Sequence, residues 1–312
     1  MSNFRNILFV SHGLGGEDEA LKQVLQLASA NQASLRVLIA CPSFPDSLGE
    51  YKASYEKSIT EQMEKAIKTA KSALKISKKK LNIPIELELG PAPDVYIIRY
   101  VLRHSHDLVI KQAEANSDQR GFKAVDMGLL RKCPCPLFIV RPAKHPVKEL
   151  RIAVAIDPKD QETVSRGLSL DLLKYAASLT RYYSGQLDIV SCWIFRPEEY
   201  LRDSIWIKVK ESELNQMLLD EKAEHDKALR SIIKDANIGD HYQIHLEKGF
   251  PEEAIPAFVE SNEIDILVMG TVARTGISSF IIGNTAENIL QKINCSFLAL
   301  KPKGFVSPVK AY

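Results

Sequence analysis

The chain has 312 residues, 45% of them hydrophobic, which is enough material for two domains with substantial cores. Its 41 basic and 39 acidic residues leave a formal net charge of +2, and this balance argues against nucleic acid or a charged membrane surface as a partner. We expect neither a signal peptide nor membrane insertion, since no apolar stretch approaches the length of a bilayer span. Five cysteines in a chain of this length favour reduced thiols, so we expect a cytoplasmic protein.

The first half opens with the apolar run Asn6–His12, which predicts a buried strand followed by a glycine-rich loop. A dinucleotide-binding G-x-G-x-x-G loop would need a third glycine where the chain has Asp18, so this loop is not assigned to a dinucleotide. The strand Asp107–Lys111 leads into the loop Lys111–Ala124, which has one glycine and two acidic residues. Acidic residues repel phosphate, so we expect no nucleotide in the first half.

Two further motifs of the first half resemble chemical sites. The pair Cys133 and Cys135 could be a redox pair or half of a metal site, but structural zinc usually needs four ligands, so plain packing is favoured. His104 and His106 end a predicted helix, where a histidine complements the helix dipole. We therefore predict no metal site.

After the proline-containing linker Arg141–Glu149, the second half alternates strands with helices. The predicted strands are Arg151–Ile156, Leu187–Trp193, His241–Leu246, Ile264–Met269 and Phe297–Leu300. The predicted helices are Glu162–Tyr183, Lys208–Asp235, one that begins near Pro251 and one that begins at Thr285.

Four pairs of similar segments occur in the same order in the two halves, which indicates a duplication. The pairs are Asn6–His12 with Arg151–Asp157, Leu89–Ile98 with Lys248–Phe258, Asp107–Lys111 with Asp265–Gly270, and Cys135–Pro142 with Cys295–Pro302. Several strands are apolar throughout, which is typical of a parallel sheet covered on both faces. We predict an α/β protein of two tandem doubly wound domains, at residues 1–143 and 149–312.

In such folds ligands bind beyond the carboxyl ends of the strands, near the topological switch point. Asp157 ends the first strand of the second half, where its carboxylate could accept hydrogen bonds from a base or a ribose, or simply cap a turn. The fourth strand leads into Gly270–Leu290, "GTVARTGISSFIIGNTAENIL". Its glycines and its helical continuation favour a phosphate-binding loop.

This closing segment resembles the universal stress protein family, whose nucleotide signature is a glycine, two residues, a glycine, nine residues, then a glycine and a hydroxyl residue. The four positions fall on Gly270, Ala273, Gly283 and Asn284, so two of the four match. The "LLRKCPCP" of Leu129–Pro136 together with "GNTAEN" is similar to the tandem members of the family. The resemblance implies two five-stranded domains, related by pseudo-two-fold symmetry, in a cytoplasmic stress-response protein.

The resemblance also implies an adenine-nucleotide site in the second half, for ATP or a related nucleotide with or without Mg²⁺. Asp157 would contact adenine or ribose, and the backbone of Cys192 would contact the base. The remaining candidate residues belong to the phosphate loop: Gly270, Thr271, Arg274, Gly276, Gly283, Asn284 and Thr285. Ala273 is the main departure, because a positive φ at a non-glycine residue costs about 1–2 kcal/mol.

No Walker-type lysine or positioned general base stands out, so the preferred interpretation is a non-enzymatic protein that binds a small ligand. One alternative is an ATP-hydrolysing or phosphotransfer enzyme that uses the Gly270–Gly283 loop. Another is a ligand-free scaffold, or a carrier of an apolar ligand under the aromatic segment Trp193–Ile207, although this segment could equally pack against its own long helix.

The final strands of the two halves, Leu137–Val140 and Phe297–Leu300, are fully apolar. An exposed apolar edge strand promotes aggregation unless it is paired. We therefore expect these two strands to pair antiparallel within one chain. The resulting pseudo-dimer would be a monomer, or a homodimer through another surface.

Overall fold

The computed structural model describes residues 4–76, 82–114, 120–159, 163–204, 208–271 and 282–312. In the first half the strands are β1 (Asn6–Ser11), β2 (Ser34–Cys41), β3 (Ile85–Leu89), β4 (Leu108–Gln112) and β5 (Leu137–Val140). The helices are α1 (Asp18–Asn31), α2 (Lys52–Ala73), α3 (Pro93–His104) and α4 (Ala124–Lys132).

The second half repeats this order with one added short α-helix, at the position of the 3₁₀ helix Asp46–Tyr51 of the first half. Its strands are β6 (Arg151–Ala155), β7 (Gln186–Trp193), β8 (Gln243–Lys248), β9 (Ile266–Gly270) and β10 (Ser296–Leu300). Its helices are α5 (Thr163–Tyr183), α6 (Glu198–Asp203), α7 (Glu211–Ala236), α8 (Pro251–Ser261) and α9 (Asn284–Lys292). The added helix is α6, which lies inside the aromatic segment.

The strands form one ten-stranded sheet in the order β3-β2-β1-β4-β5-β10-β9-β6-β7-β8. Pairing is parallel within each half, and the halves meet where β10 pairs antiparallel with β5, with Phe297 opposite Ile139. The predicted doubly wound domains and the predicted pairing of the final strands are confirmed. Each apolar edge is thereby covered by its counterpart in the other half.

Helices cover both faces of the sheet, which explains the nearly continuous apolar strands. One core cluster includes Phe9, Ile39 and Val154, and the cluster on the opposite face includes Leu8 and Leu267. Neighbouring residues of a strand, such as Leu8 and Phe9, are both fully buried because they point to opposite, equally covered faces.

The two halves also repeat a polar clamp at the start of their first strands. The carboxylate of Asp107 accepts hydrogen bonds from the backbone N–H groups of Arg5 (2.7 Å) and Asn6 (3.0 Å). Its counterpart Asp265 accepts from the N–H groups of Arg151 (2.9 Å) and Lys144 (2.7 Å). The repeated aspartate therefore holds each first strand against the fourth, and in the second half it also holds the linker.

Several predicted boundaries differ from the structure by one to three residues, and two of these shifts have a visible cause. β8 begins at Gln243 rather than His241, because the N–H of Tyr242 closes a turn onto the carbonyl of Asp240 (3.2 Å). The long helix α7 begins at Glu211, three residues later than predicted, since Lys210 still has extended backbone angles. Neither shift moves a candidate site residue.

Buried His106 gives the fold an expected sensitivity to acid. Its Nδ1 lies 3.3 Å from the carbonyl oxygen of Asn6, its ring stacks on Tyr100, and burial lowers its pKa from 6.5 to about 4. As the pH falls from 6.5 to 4, His106 becomes protonated in the unfolded chain but stays neutral in the folded chain. Stability is therefore lost across this window, by up to about 3 kcal/mol.

We expect His106→Phe, which keeps a ring against Tyr100, to remove this pH dependence. Urea unfolding of both proteins at pH 7 and pH 4.5 measures it: the parent should lose more stability between the two values than the variant does. Equal losses in the two proteins would show that the pKa of His106 is the same in the folded and the unfolded chain.

Candidate functional site

The order of the strands brings most of the predicted site to one edge of the sheet. β6 lies between β9 and β7, and the crossovers reverse direction between β6 and β9. Asp157 follows β6, Cys192 lies near the end of β7, and Gly270 ends β9. Three candidate positions, far apart in sequence, therefore lie at neighbouring strand ends beside the topological switch point.

Asp157 is half-buried and forms a turn with its own backbone, because its Oδ1 accepts a hydrogen bond from the N–H of Lys159 (3.0 Å). It also lies close enough to Cys192 to affect that thiol. Burial raises the pKa of Cys192 to about 12, with the carboxylates of Glu247, Asp157 and Glu252 adding to the effect. The surroundings of Cys192 are thus acidic and keep its thiol protonated.

Gly270 packs closely against α5. A Cβ at this position would lie 2.8 Å from Cδ2 of Leu168, closer than real Cβ contacts come. The absence of a side chain here therefore serves the core, in addition to any close approach of a ligand to the backbone.

Thr271 is fully buried at the junction between the two halves. Its Oγ1 accepts a hydrogen bond from Nζ of Lys301 (2.7 Å), and its carbonyl oxygen accepts one from the N–H of Gly283 (3.2 Å). Lys301 also donates to the carbonyl oxygen of Leu130 at the end of α4 in the first half. The Thr271 hydroxyl is thus engaged in a contact that joins the halves.

Helix α9 begins at Asn284, directly after Gly283, and both Asn284 and Thr285 are exposed. Among the described residues, no side chain accepts a hydrogen bond from the N–H groups of its first turn. Such a helix N-terminus offers backbone donors and a partial positive charge to an anion. Arg274 and Gly276, with Ala273 of the signature, lie outside the described residues.

At the corresponding helix of the first half, α4, a side chain of the protein itself occupies the anion position at the N-terminus. Oε2 of Glu114 accepts hydrogen bonds from the N–H groups of Val125 (3.0 Å) and Asp126 (3.3 Å). Asp126 in turn accepts from Nζ of the buried Lys111 (2.8 Å), and both side chains are almost fully enclosed. A carboxylate therefore already occupies the position that an anion would take, and the nearby lysine is neutralised.

In the glycine-rich loop after β1, a carboxylate of the protein likewise accepts the available hydrogen bonds. Ser11 Oγ donates to the buried carboxylate of Glu17, whose other oxygen accepts from the N–H of His12 (3.1 Å). Gly13 has φ +75°, and a Cβ there would meet Sγ of Cys41 at 2.8 Å. This glycine is thus explained by a tight turn around an internal carboxylate rather than by a cofactor.

Charged side chains hold the described part of the aromatic segment after β7 against its neighbours. Trp193 is buried, and Nζ of Lys248 lies 5.9 Å from the centre of its ring while pairing with Glu198 of α6 (2.7 Å). Arg202 of α6 bonds Glu211 at the start of α7 (2.9 Å). The described part of the segment thus packs against β8 and its own long helix, and residues 205–207 lie outside the described residues.

A groove of about 460 Å³ lies elsewhere, between β8 and α8. Its lining includes Lys248, Phe250, Ala254, Phe258 and Asn262. None of the seven candidate residues that the structure describes lines it, although Glu247, which also acts on Cys192, does.

One buried polar pair beneath the strand ends escaped the sequence analysis. Nε2 of His225 in α7 lies 2.8 Å from Oγ of Ser191, which donates to the carbonyl oxygen of Ile156 (2.7 Å). Burial lowers the pKa of His225, so the imidazole is neutral. The only available signal was a histidine on the apolar side of a charged helix, which does not reveal its partner.

In the part of the chain that the structure describes, no three His, Cys, Asp or Glu side chains are grouped so that they could hold a metal ion. Within the same ranges, every helix is too short or too polar to cross a membrane.

The architecture defines a tandem α/β protein of two doubly wound domains, joined edge to edge with pseudo-two-fold symmetry. A model of the universal stress protein family matches residues 3–141 and 150–301, and the chain therefore belongs to that family.

Named relatives match most of this chain. Universal stress protein E of Photorhabdus laumondii is 25% identical over 323 residues, covering 100% of this chain and 99% of the relative. Universal stress protein E of Escherichia coli K12 is 30% identical over 235 residues, covering 73% of this chain and 72% of the relative. A functionally unknown protein of Pseudomonas aeruginosa PAO1 has the same fold, with a TM-score of 0.71 at 23% identity, covering 97% of this chain and 94% of that chain. The predicted tandem type is confirmed.

Proposed function

We propose that this chain is a non-enzymatic, cytoplasmic stress-response protein whose second half binds an adenine nucleotide, while its first half does not. A stress-response role is consistent with membership of the universal stress protein family. The ligand, the compartment and the absence of catalysis are parts of the proposal.

The observation that carries the proposal is the contrast between two equivalent helix N-termini. α4 and α9 follow the fourth strands of their halves, but Glu114 occupies the first turn of α4. In the first turn of α9 the acidic residue Glu287 pairs with Arg131, and no carboxylate among the described residues accepts a hydrogen bond from the N–H groups there. Asn284 and Thr285 are exposed. A phosphate would be stabilised by the free backbone donors and the dipole of α9, and repelled by the carboxylate at α4.

The charges around the strand ends suggest how a nucleotide would lie. Glu247, Asp157 and Glu252 all act on Cys192, so this end suits the uncharged base and the ribose hydroxyls rather than phosphate. Lys159, the nearest cation in sequence, pairs with Glu221. The nucleotide would therefore place its base near β7, its ribose near Asp157 and its phosphates toward α9.

A carboxylate introduced at the N-terminus of α9 should abolish the binding of phosphate there. We expect Asn284→Glu to weaken ATP binding to the full-length chain at least about tenfold, through repulsion of the phosphates at an otherwise favourable helix N-terminus. The matched control is Ala124→Glu, the same charge at the exposed first residue of α4, which should leave the affinity unchanged.

Isothermal titration with ATP measures both variants, and release of inorganic phosphate from the same samples tests the enzymatic alternative. Equal effects of the two substitutions would place the phosphates away from α9. If the parent protein releases phosphate from ATP and Asn284→Glu abolishes this release, the protein is a hydrolase rather than a binding protein.

A further inference from the structure

The two cysteines that precede β5 lie in contact. Cys133 ends α4, where its N–H bonds the carbonyl oxygen of Leu129 (2.8 Å), and its side chain is buried. The chain then bends at Pro134 and Cys135 before it enters β5, and Cys135 is half-buried. The bend brings the two Sγ atoms to 3.8 Å, compared with about 2.05 Å in a disulfide.

A lysine from the other half supports the pair. Nζ of Lys301 donates to the carbonyl oxygen of Leu130 and to Oγ1 of Thr271 (2.7 Å), which holds the ammonium at the end of α4. The hydrogen bond with Cys135 lowers the pKa of Cys133, and the charge of Lys301 adds to this effect against the opposing effect of burial. Burial lowers the pKa of Lys301 to about 8, opposed by Cys133.

The other three cysteines have different surroundings. Burial raises the pKa of Cys41, and it raises the pKa values of Cys192 and Cys295 to about 12. Since the thiolate is the reactive form, these three thiols are the less reactive ones. Cys41 also donates its S–H to the carbonyl oxygen of His12 (3.2 Å).

We propose that Cys133 and Cys135 form a peroxide-reactive dithiol that closes into an intramolecular disulfide. In the first step the Cys133 thiolate attacks one oxygen of hydrogen peroxide, the O–O bond breaks, and a sulfenic acid and hydroxide form. In the second step Cys135 displaces the sulfenic oxygen, which leaves with both protons as water. The dithiol loses two electrons and peroxide is reduced to two molecules of water.

In this reaction Cys133 is the attacking sulfur and Cys135 is the resolving one, because the two thiols differ in the direction of their pKa shifts. The hydrogen bond between the two thiols and the charge of Lys301 lower the pKa of Cys133, whereas that hydrogen bond and burial raise the pKa of Cys135. A dithiol reductant would reverse the reaction by thiol–disulfide exchange and end as its own cyclic disulfide. Lys301 acts as a positioning residue in this scheme.

The test treats the reduced full-length protein with hydrogen peroxide and counts thiols after denaturation. Two of the five free cysteines should disappear, and the tryptic peptide that begins at Cys133 should lose about 2 Da, a loss that dithiothreitol reverses. Cys135→Ser should stop the reaction at a sulfenic acid on Cys133, trapped by dimedone. Cys192→Ser, at an equally half-buried thiol, should leave disulfide formation unchanged.

Lys301→Met separates the positioning role from simple proximity. It should slow peroxide consumption about tenfold at pH 7 and much less at pH 9, where the thiolate forms without help. Circular dichroism confirms that each variant is folded. The proposal is overturned if the five thiols survive peroxide that oxidises free cysteine, if the lost thiols map to another pair, or if the disulfide forms between chains.

Discussion

Ile139→Lys is expected to reduce the free energy of unfolding by about 4 kcal/mol or more, because it places an unpaired ammonium in a dry interior. Ile139 is completely buried in β5 and lies opposite Phe297 of β10, at the centre of the ten-stranded sheet. The same substitution would disturb the strand pairing that joins the two five-stranded units. We therefore expect aggregation on expression, or separate unfolding of the halves in a thermal scan.

Two controls distinguish the effect of charge from general sensitivity. Ile139→Val should cost only about 0.5–1.5 kcal/mol, since it removes one methylene from the same position. Val147→Lys should be nearly neutral, because Val147 in the linker is half exposed. If Ile139→Lys leaves solubility and the cooperativity of unfolding intact, the pairing of β5 with β10 is wrong.

Asp126→Ala is the second large expected effect. The carboxylate of Asp126 is fully buried and accepts a hydrogen bond from Nζ of Lys111 (2.8 Å). The side chain of Lys111 is itself almost completely enclosed. Removing one partner of a buried ion pair leaves an uncompensated charge and typically costs about 3–5 kcal/mol. Burial raises the pKa of Asp126 and Lys111 opposes that shift, so the pair depends on both members.

The double variant Lys111→Met/Asp126→Asn tests this explanation. It removes both charges while the asparagine oxygen can still accept the N–H of Glu114, as Asp126 does (2.9 Å). We expect it to be markedly more stable than Asp126→Ala in urea unfolding. If the single and double variants are equally destabilised, the charge left on Lys111 is not the cause.

The fold could be predicted because its determinants are patterns that recur along the chain. The apolar runs Asn6–His12 and Arg151–Ile156 predict buried strands, and their repeated order predicts the duplication. The fully apolar strand Leu137–Val140 needs a partner, and its counterpart in the second half supplies it.

The details of the site depend on contacts that no sequence pattern specifies. Glu114 counted only as an acidic loop residue, yet its carboxylate caps α4, because the loop conformation decides which donors a short side chain can reach. Thr271 looked like part of a phosphate loop, but its hydroxyl bonds Lys301, thirty residues later. Lys111 lies in a strand that appears apolar, and only the fold brings Asp126 to it.

Photolabelling with 8-azido-ATP followed by peptide mapping tests the central claim most directly, since it reports both whether a nucleotide binds and in which half. We expect about one label per chain, displaced by unmodified ATP and mapped to the strand-end site near Asp157 and Cys192. Labelling of the first half, beside Glu114 or Glu17, or no specific labelling at saturating nucleotide, would contradict it.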